Sequence, residues 1–359
     1  MALSLATLLG SCSGSKYPAA PSDSTVDSYF GMEVADPYRP LENDTSEATT
    51  QWVEQERALT ENYLAKIPFR GALRERIASF NNYVKQGVPH KEADGKYYFF
   101  RNDGLKNQSV LYRSNNIDLS DAELFLDPNT LSDDGTVALT GTSMSNDGRF
   151  MAYTISRSGS DWTEIFVLDT ATGKLLDDHI EWAKFTDAAW FKDGFFYSAY
   201  DRPVEGKEFS NANENHRIYY HKLGTPQSAD KVAFEDKEHP LHFHTAQVPS
   251  NERCLFVYVG GQGFGEGLLM KDLTKADAPW ITIEPTQNFS NGVVDVIGDE
   301  VYILTSADAQ RNRLVKAPVS NPVRANWVTV VPEQDGVLTG VQRSGKDLIL
   351  SYEKDASMH

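Results

Sequence analysis

At 359 residues the chain is too long for one ordinary core and points to two domains or to one large repetitive one. An apolar fraction of 40% with 11% aromatics marks a folded protein, not a disordered one. The formal charge of -17 leaves no basic stripe to neutralise phosphates, which argues against nucleic acid and against an anionic membrane surface as partners.

Residues 1–12 form a short apolar run that closes on Leu9-Gly10-Ser11-Cys12. Small residues before a cysteine look like a bacterial lipoprotein signal, in which the new N-terminal Cys12 receives lipid. A positive n-region is missing and the run is short. The expected location is therefore outside the bacterial cytoplasm, periplasmic or lipid-anchored at Cys12. Residues 13–26 are rich in Ser, Pro and Gly at their start and read as a flexible tether. No other stretch approaches the ~20 apolar residues that span a bilayer.

Residues 46–80 carry a helical period. Ser46 is placed to cap, and Trp52, Leu59 and Tyr63 recur on one face. Pro68 then opens a second helix with Phe69, Leu73, Ile77 and Phe80 on its apolar stripe. Both stripes need a surface to cover them.

After Asn81 the period changes to that of short strands between Gly, Asp and Asn turns. A turn followed by an aromatic and β-branched run recurs at Asp94-Gly95, Asp147-Gly148, Asp193-Gly194, Asn251-Glu252, Gly298-Asp299 and Gly345-Lys346. The spacing of roughly 45–60 residues is that of a four-stranded propeller blade. One blade has two apolar faces and cannot bury them alone, whereas stacked blades bury each other's. The fold class is thus mainly β: an incomplete propeller of five to six blades, the sixth cut short, over residues 81–359. Cys254, in Cys254-Leu-Phe-Val-Tyr258, is expected as a buried free thiol within it.

Several motifs in order carry a family resemblance. Asp27-Ser-Tyr29-Phe30-Gly31 with Val34-Ala35-Asp36-Pro37-Tyr38-Arg39 resembles the opening signature of prolyl oligopeptidases, and Trp52-Val53-Glu-Gln55 continues it. Tyr97-Tyr-Phe-Phe-Arg101-Asn102-Asp103-Gly104 through Leu111-Tyr112 resembles that family's first blade, and Leu126-Asp127-Pro128-Asn129 and Tyr219-Tyr220-His221 follow in place. The resemblance implies a seven-bladed propeller of which this chain offers five and part of a sixth. It also implies that residues 27–80 are the N-terminal helical segment of an α/β-hydrolase domain otherwise absent here. It implies a serine endopeptidase that cleaves short peptides after proline, the propeller gating access and excluding folded proteins. Its partners would be proline-containing oligopeptides, and the full-length enzyme would be a monomer without cofactors. Phe185, in Trp182-Ala-Lys184-Phe185-Thr186, matches a family aromatic that reaches towards the peptide cleft.

The chemistry of that activity is not found in these residues. A serine nucleophile of an α/β-hydrolase sits on a Gly-x-Ser-x-Gly elbow, with its aspartate and histidine later in sequence. No such elbow occurs in the chain, and Ser11, Ser143 and Ser160 do not fit the spacing. No catalytic residue is assigned, and the chain alone is expected to be inactive. Arg157 is a weak candidate for a ligand carboxylate, in a segment that reads better as a turn. The run from Gly260 to Gly267 lacks the context of a phosphate loop and reads as a flexible hairpin. It stands where the family's substrate-contacting arginine of the fourth blade has no clear counterpart. His239, His242 and His244 alternate in a way zinc ligands do, but without a completing residue they are read as hydrogen-bonded, and no metal is expected. Two rival readings remain: a non-catalytic propeller that binds or scaffolds, and a sister oligopeptidase of different specificity.

Overall fold

The computed structural model describes residues 17–204 and 212–359. Cys12 and the proposed signal lie outside the described residues. The described residues fall into two compact units. The first is residues 17–83 with Pro203, Val204 and Ala212, and the second is residues 84–202 with 213–359. The boundary expected after residue 80 thus falls after Tyr83, and the short excursion near Pro203 groups with the first unit.

The first unit opens with a hairpin, Val26–Tyr29 paired with Met32–Ala35. Its turn is Phe30-Gly31, both at positive φ, the geometry that two-residue hairpins favour. Arg39 gathers the carboxylates of Asp27 and Asp36, which explains why the opening motif carries these three charges at that spacing. Helix α1 spans Glu47–Ala65, and the Ser46 hydroxyl accepts the Thr49 N–H at 3.2 Å, as an N-cap should. Helix α2 spans Arg70–Asn81 and has no side-chain cap. Its stripe of Phe69, Leu73, Ile77 and Phe80 is exposed, as is Tyr63 on α1. No helix among the described residues is long and apolar enough to cross a membrane.

The second unit is a series of six antiparallel sheets in chain order. The first has its inner strand in two pieces, Lys85–Gln86 and His90–Lys91, both paired with Tyr97–Asn102. Pro89 has no N–H to donate and breaks the ladder between them. Val110–Ser114 and Glu123–Leu126 complete it. The second sheet runs Val137–Met144, Phe150–Arg157, Thr163–Asp169, Leu175–Ala183. The third runs Ala189–Phe191, Gly194–Ala199, Arg217–Lys222, Lys231–Glu235. A single pairing, Ala183 with Ala199, joins these two sheets at their edge. The fourth runs Phe243–Gln247, Cys254–Gly260, Gly267–Asp272, Ile281–Glu284. The fifth runs Asn291–Ile297, Glu300–Thr305, Arg313–Pro318, Val328–Val331. The sixth has three strands, Val337–Ser344, Asp347–Lys354 and Ser357–Met358. Each turn that the sequence marked lies between the first and second strand of a sheet.

The core lies between sheets, not inside them. In the fourth sheet, Cys254 and Phe256 pack with Val301 and Ile303 of the fifth, while Leu255, Val257 and Val259 pack with Phe196 and Ile218 of the third. In the second sheet, Met151, Tyr153 and Ile155 meet Tyr98 and Leu111 of the first, and Ala152 meets Phe195 and Tyr197 of the third. Successive residues of one strand thus serve opposite neighbours, as the period of two dictates. This blade-on-blade burial is the propeller expected from the repeat.

Candidate functional site

Strand order fixes which residues share an end of this unit. In an antiparallel four-strand sheet, the first and third turns lie at one end. The second-to-third loop and the connection to the next sheet lie at the other. Contacts between sheets show that the ends coincide. At the first end, the Glu252 carboxylate accepts from Asn146 Nδ2 at 2.9 Å and from the Lys192 N–H at 3.1 Å, tying the first turns of three sheets. At the opposite end, the Asn215 N–H donates to Pro240 O at 2.7 Å, and the Gly265 N–H to Gln287 O at 2.9 Å.

Phe185 sits at this opposite end, on the connection between the second and third sheets. Its φ is 51°, so the chain turns sharply and lifts the ring out of the ladder. The ring is 49% exposed and rests on Phe243 at 5.4 Å and edge-on to His216 at 6.3 Å. The layer beneath is fixed by hydrogen bonds. His216 Nδ1 accepts the His244 N–H at 2.8 Å, so its Nε2 carries the proton and donates to Lys184 O at 3.0 Å. His244 Nδ1 in turn donates to His216 O at 2.9 Å. The ammonium of Lys184, a residue only 7% exposed, lies 3.6 Å from Asp161, 5.0 Å from the Trp162 ring and 5.3 Å from the Phe185 ring. The result is an apolar ring on a rigid aromatic and cationic base, suited to a flat apolar group of a ligand. Lys184 and His216 had no periodic signal in the sequence; adjacency to Phe185 is the sole clue to the lysine.

The other candidates are placed as follows. Arg157 is taken by Glu164, which also faces His179 at 2.8 Å, so it is not free for a ligand carboxylate. Ser160 Oγ accepts the Trp162 N–H, as a turn residue would, while Asp161 serves Lys184 and not the loop. Ser143 Oγ donates to Ala188 O. The 260–267 run is a hairpin loop, as expected, but it packs backbone to backbone on the next connection. A Cβ at Gly263 would lie 1.9 Å from Gln287 O and one at Gly265 2.0 Å from Phe289 O. Arg253 of the fourth sheet is at the first end, bound to Gly298 O and Asp299, far from Phe185 in topology. The histidine trio is split: His244 joins His216, whereas His239 and His242 stack on each other beside Asp236. Cys254 is buried and free, its thiol pushed up to about 11 by burial.

Sequence reasoning missed the His–Asp constellation around His221. His221 is fully buried, with Nδ1 2.8 Å from Asp230 and Nε2 3.0 Å from Asp178. Burial pulls its pKa down, but the two carboxylates outweigh burial and leave it raised. With both nitrogens engaged and no solvent contact, it ties strands together and cannot act as a base.

An array of blade sheets that bury one another's faces defines the second unit as a β-propeller. A family model described as the prolyl oligopeptidase N-terminal beta-propeller domain matches residues 17–359. A prolyl endopeptidase of Elizabethkingia meningoseptica is 41% identical over 343 residues, covering 95% of this chain and 48% of the relative. Prolyl oligopeptidase A of Galerina marginata is 29% identical, covering 92% and 49%. Among solved structures, prolyl oligopeptidase B from Galerina marginata bound to a 25mer macrocyclization substrate is similar with a TM-score of 0.80 at 26% identity, covering 95% of this chain and 51% of that one. The chain belongs to the prolyl oligopeptidase family and comprises its N-terminal propeller region. It spans about half the length of the curated relatives it matches.

Burial holds the His216 imidazole down at about 4, with its hydrogen bond to Lys184 O opposing. The unfolded side chain titrates near ~6.5. The unfolded chain therefore takes up the proton first as pH falls, and stability present above ~6.5 is lost progressively down to the folded value. His221 has the opposite sign: its contribution is complete below ~6.5 and is lost as pH rises through its raised folded value. Urea denaturation at pH 6.5 and 4.5 should show His216→Gln losing less stability on acidification than the parent, by about 1–2 kcal/mol. Equal losses in the two proteins would contradict the buried neutral assignment.

Proposed function

We propose that this chain is the substrate-gating part of a serine endopeptidase that cleaves short peptides after proline. The observation that carries the reading is Phe185, half exposed at the connection end on a base of Phe243, His216 and Lys184. A prolyl ring is compact, apolar and lacks an N–H, so it matches an aromatic face better than a polar cradle. The relatives are named for prolyl peptidase activity, and one solved relative is described as bound to a peptide substrate. In this reading the propeller selects by size. An oligopeptide reaches a cleft between the blades' connection end and a hydrolase body, and a folded protein does not. The hydrolase body would also cover the exposed stripe of α2. The assembled enzyme acts as a monomer.

The nucleophile belongs to the hydrolase body, since no Gly-x-Ser-x-Gly elbow occurs in the 359 residues. The purified chain is therefore expected to leave proline-containing reporter peptides intact. Turnover that vanishes with a serine-reactive inhibitor would overturn this. In a protein that carries these residues together with the hydrolase half, Phe185→Ala should lower kcat/KM for proline substrates about 10-fold, the loss of one aromatic contact of ~1.4 kcal/mol. An unchanged kcat/KM would remove Phe185 from the substrate surface.

The N-terminal motif supports an exported protein anchored by lipid at Cys12 in a bacterial envelope. Expressed in a bacterial host with a clickable fatty acid, the protein should become labelled, and Cys12→Ala should abolish the label. Equal labelling of the two would rule out that anchor.

A further inference from the structure

The connection between the third and fourth sheets reads Asp236-Lys-Glu-His239-Pro-Leu-His242. Spacings of three and three bring one ligand atom from each of Asp236, His239 and His242 within 4.8 Å of one another. The carboxylate oxygen is 2.9 Å from His239 Nδ1 and 3.5 Å from His242 Nδ1. Ligand atoms around a tetrahedral ion with bonds of ~2.0–2.1 Å lie roughly 3.4 Å apart, so little closure is needed. The trio opens onto a cleft of about 620 Å³ that is also lined by Glu235 and Glu238. The cleft gives an ion a path in and leaves room for water at the remaining coordination positions.

The independent sign is His242. The residue is 7% exposed, and its Nδ1 is buried without a hydrogen-bond partner while aimed at this point. Buried polar atoms are rarely left in that condition. We propose that Asp236, His239 and His242 form a binding site for a divalent transition metal ion of the zinc class. Two imidazoles and one carboxylate are the donor set such ions prefer, and Mg²⁺ or Ca²⁺ would want more oxygens.

The second layer sets the affinity. His242 Nε2 faces Gln287 Nε2 at 3.2 Å, and Gln287 Oε1 accepts from the Gln262 and Gly263 N–H groups at 2.7 and 3.3 Å. In this arrangement Nε2 accepts and Nδ1 keeps the proton. An ion on Nδ1 requires the other tautomer, with Nε2–H donating. Gln287 then has to turn its amide, at the expense of its hold on the 262–263 backbone. The rings of His239 and His242 are parallel at 4.6 Å, so His239 must also rotate, and its exposed side chain is free to do so. These two adjustments make the site one of moderate affinity.

Gln287→Glu removes the first cost. One carboxylate oxygen keeps the 262–263 N–H groups, and the other accepts from Nε2–H, making a carboxylate–histidine–metal chain. The test is calorimetric titration of the untagged chain with ZnCl₂, with the visible absorption of bound Co²⁺ as a second readout. One equivalent should bind the parent protein. Binding should weaken at least 10-fold in Asp236→Asn and His239→Ala and tighten about 10-fold in Gln287→Glu. His239 is exposed, so its substitution leaves the fold intact, and unchanged circular dichroism verifies this. No binding of either ion to the parent protein would overturn the site. So would binding that His239→Ala and Asp236→Asn leave unchanged, which would mean adventitious metal elsewhere.

Discussion

Everything in the second unit depends on one constraint: a strand buries alternate residues on opposite faces. Cys254 and Phe256 go to one neighbouring sheet and Leu255, Val257 and Val259 to the other. Neither set is covered unless sheets stand on both sides. At ~25 cal/mol per Å² of apolar surface removed from water, each such side chain contributes roughly 1.5–3 kcal/mol, and none of it exists for an isolated sheet. The sheets therefore fold as a stack. Polar ties such as Glu252 across three turns set the register between sheets once the stack has formed.

A stack of this kind separates stability from function by position. The strands are occupied with burying one another. The loops at the connection end are released from that duty and carry the residues that face outward. Phe185, the Asp236–His239–His242 cluster and the glycine loop at 261–266 all lie there, on consecutive connections and loops of the second to fourth sheets. Phe243 links the first two features directly, because its ring supports Phe185 and its backbone follows His242. The glycine loop is held by the connection after Ile281–Glu284, where Gln287 reads His242. The Phe185 surface and the candidate ion site are thus neighbours in one layer at the connection end.

The repeat was legible because it is local. A tight turn with a glycine at positive φ, as at Asp147-Gly148, followed by alternating apolar residues, identifies a hairpin without any distant information. Ser46 as a cap and the α2 stripe were legible for the same reason. The site was legible only in part. Phe185 was found through resemblance, since a lone aromatic in a connection has no period to mark it. His244 was grouped with His239 and His242 because the three are close in sequence, but the strand that starts at Phe243 turns its side chain to His216 instead. Asp236 was overlooked because carboxylates are common on an acidic chain.

By itself the sequence determined the class of sheet, the number of blade openings, the helical pair and the family, all of which follow from short-range pattern. Tertiary structure alone decided which charged and imidazole groups meet. His221 lies 43 residues from Asp178, and His216 lies 28 from His244, yet each pair is in hydrogen-bond contact. Such contacts arise from stacking sheets about a common axis, and no pattern within one strand encodes which loop of the next sheet will lie beside it.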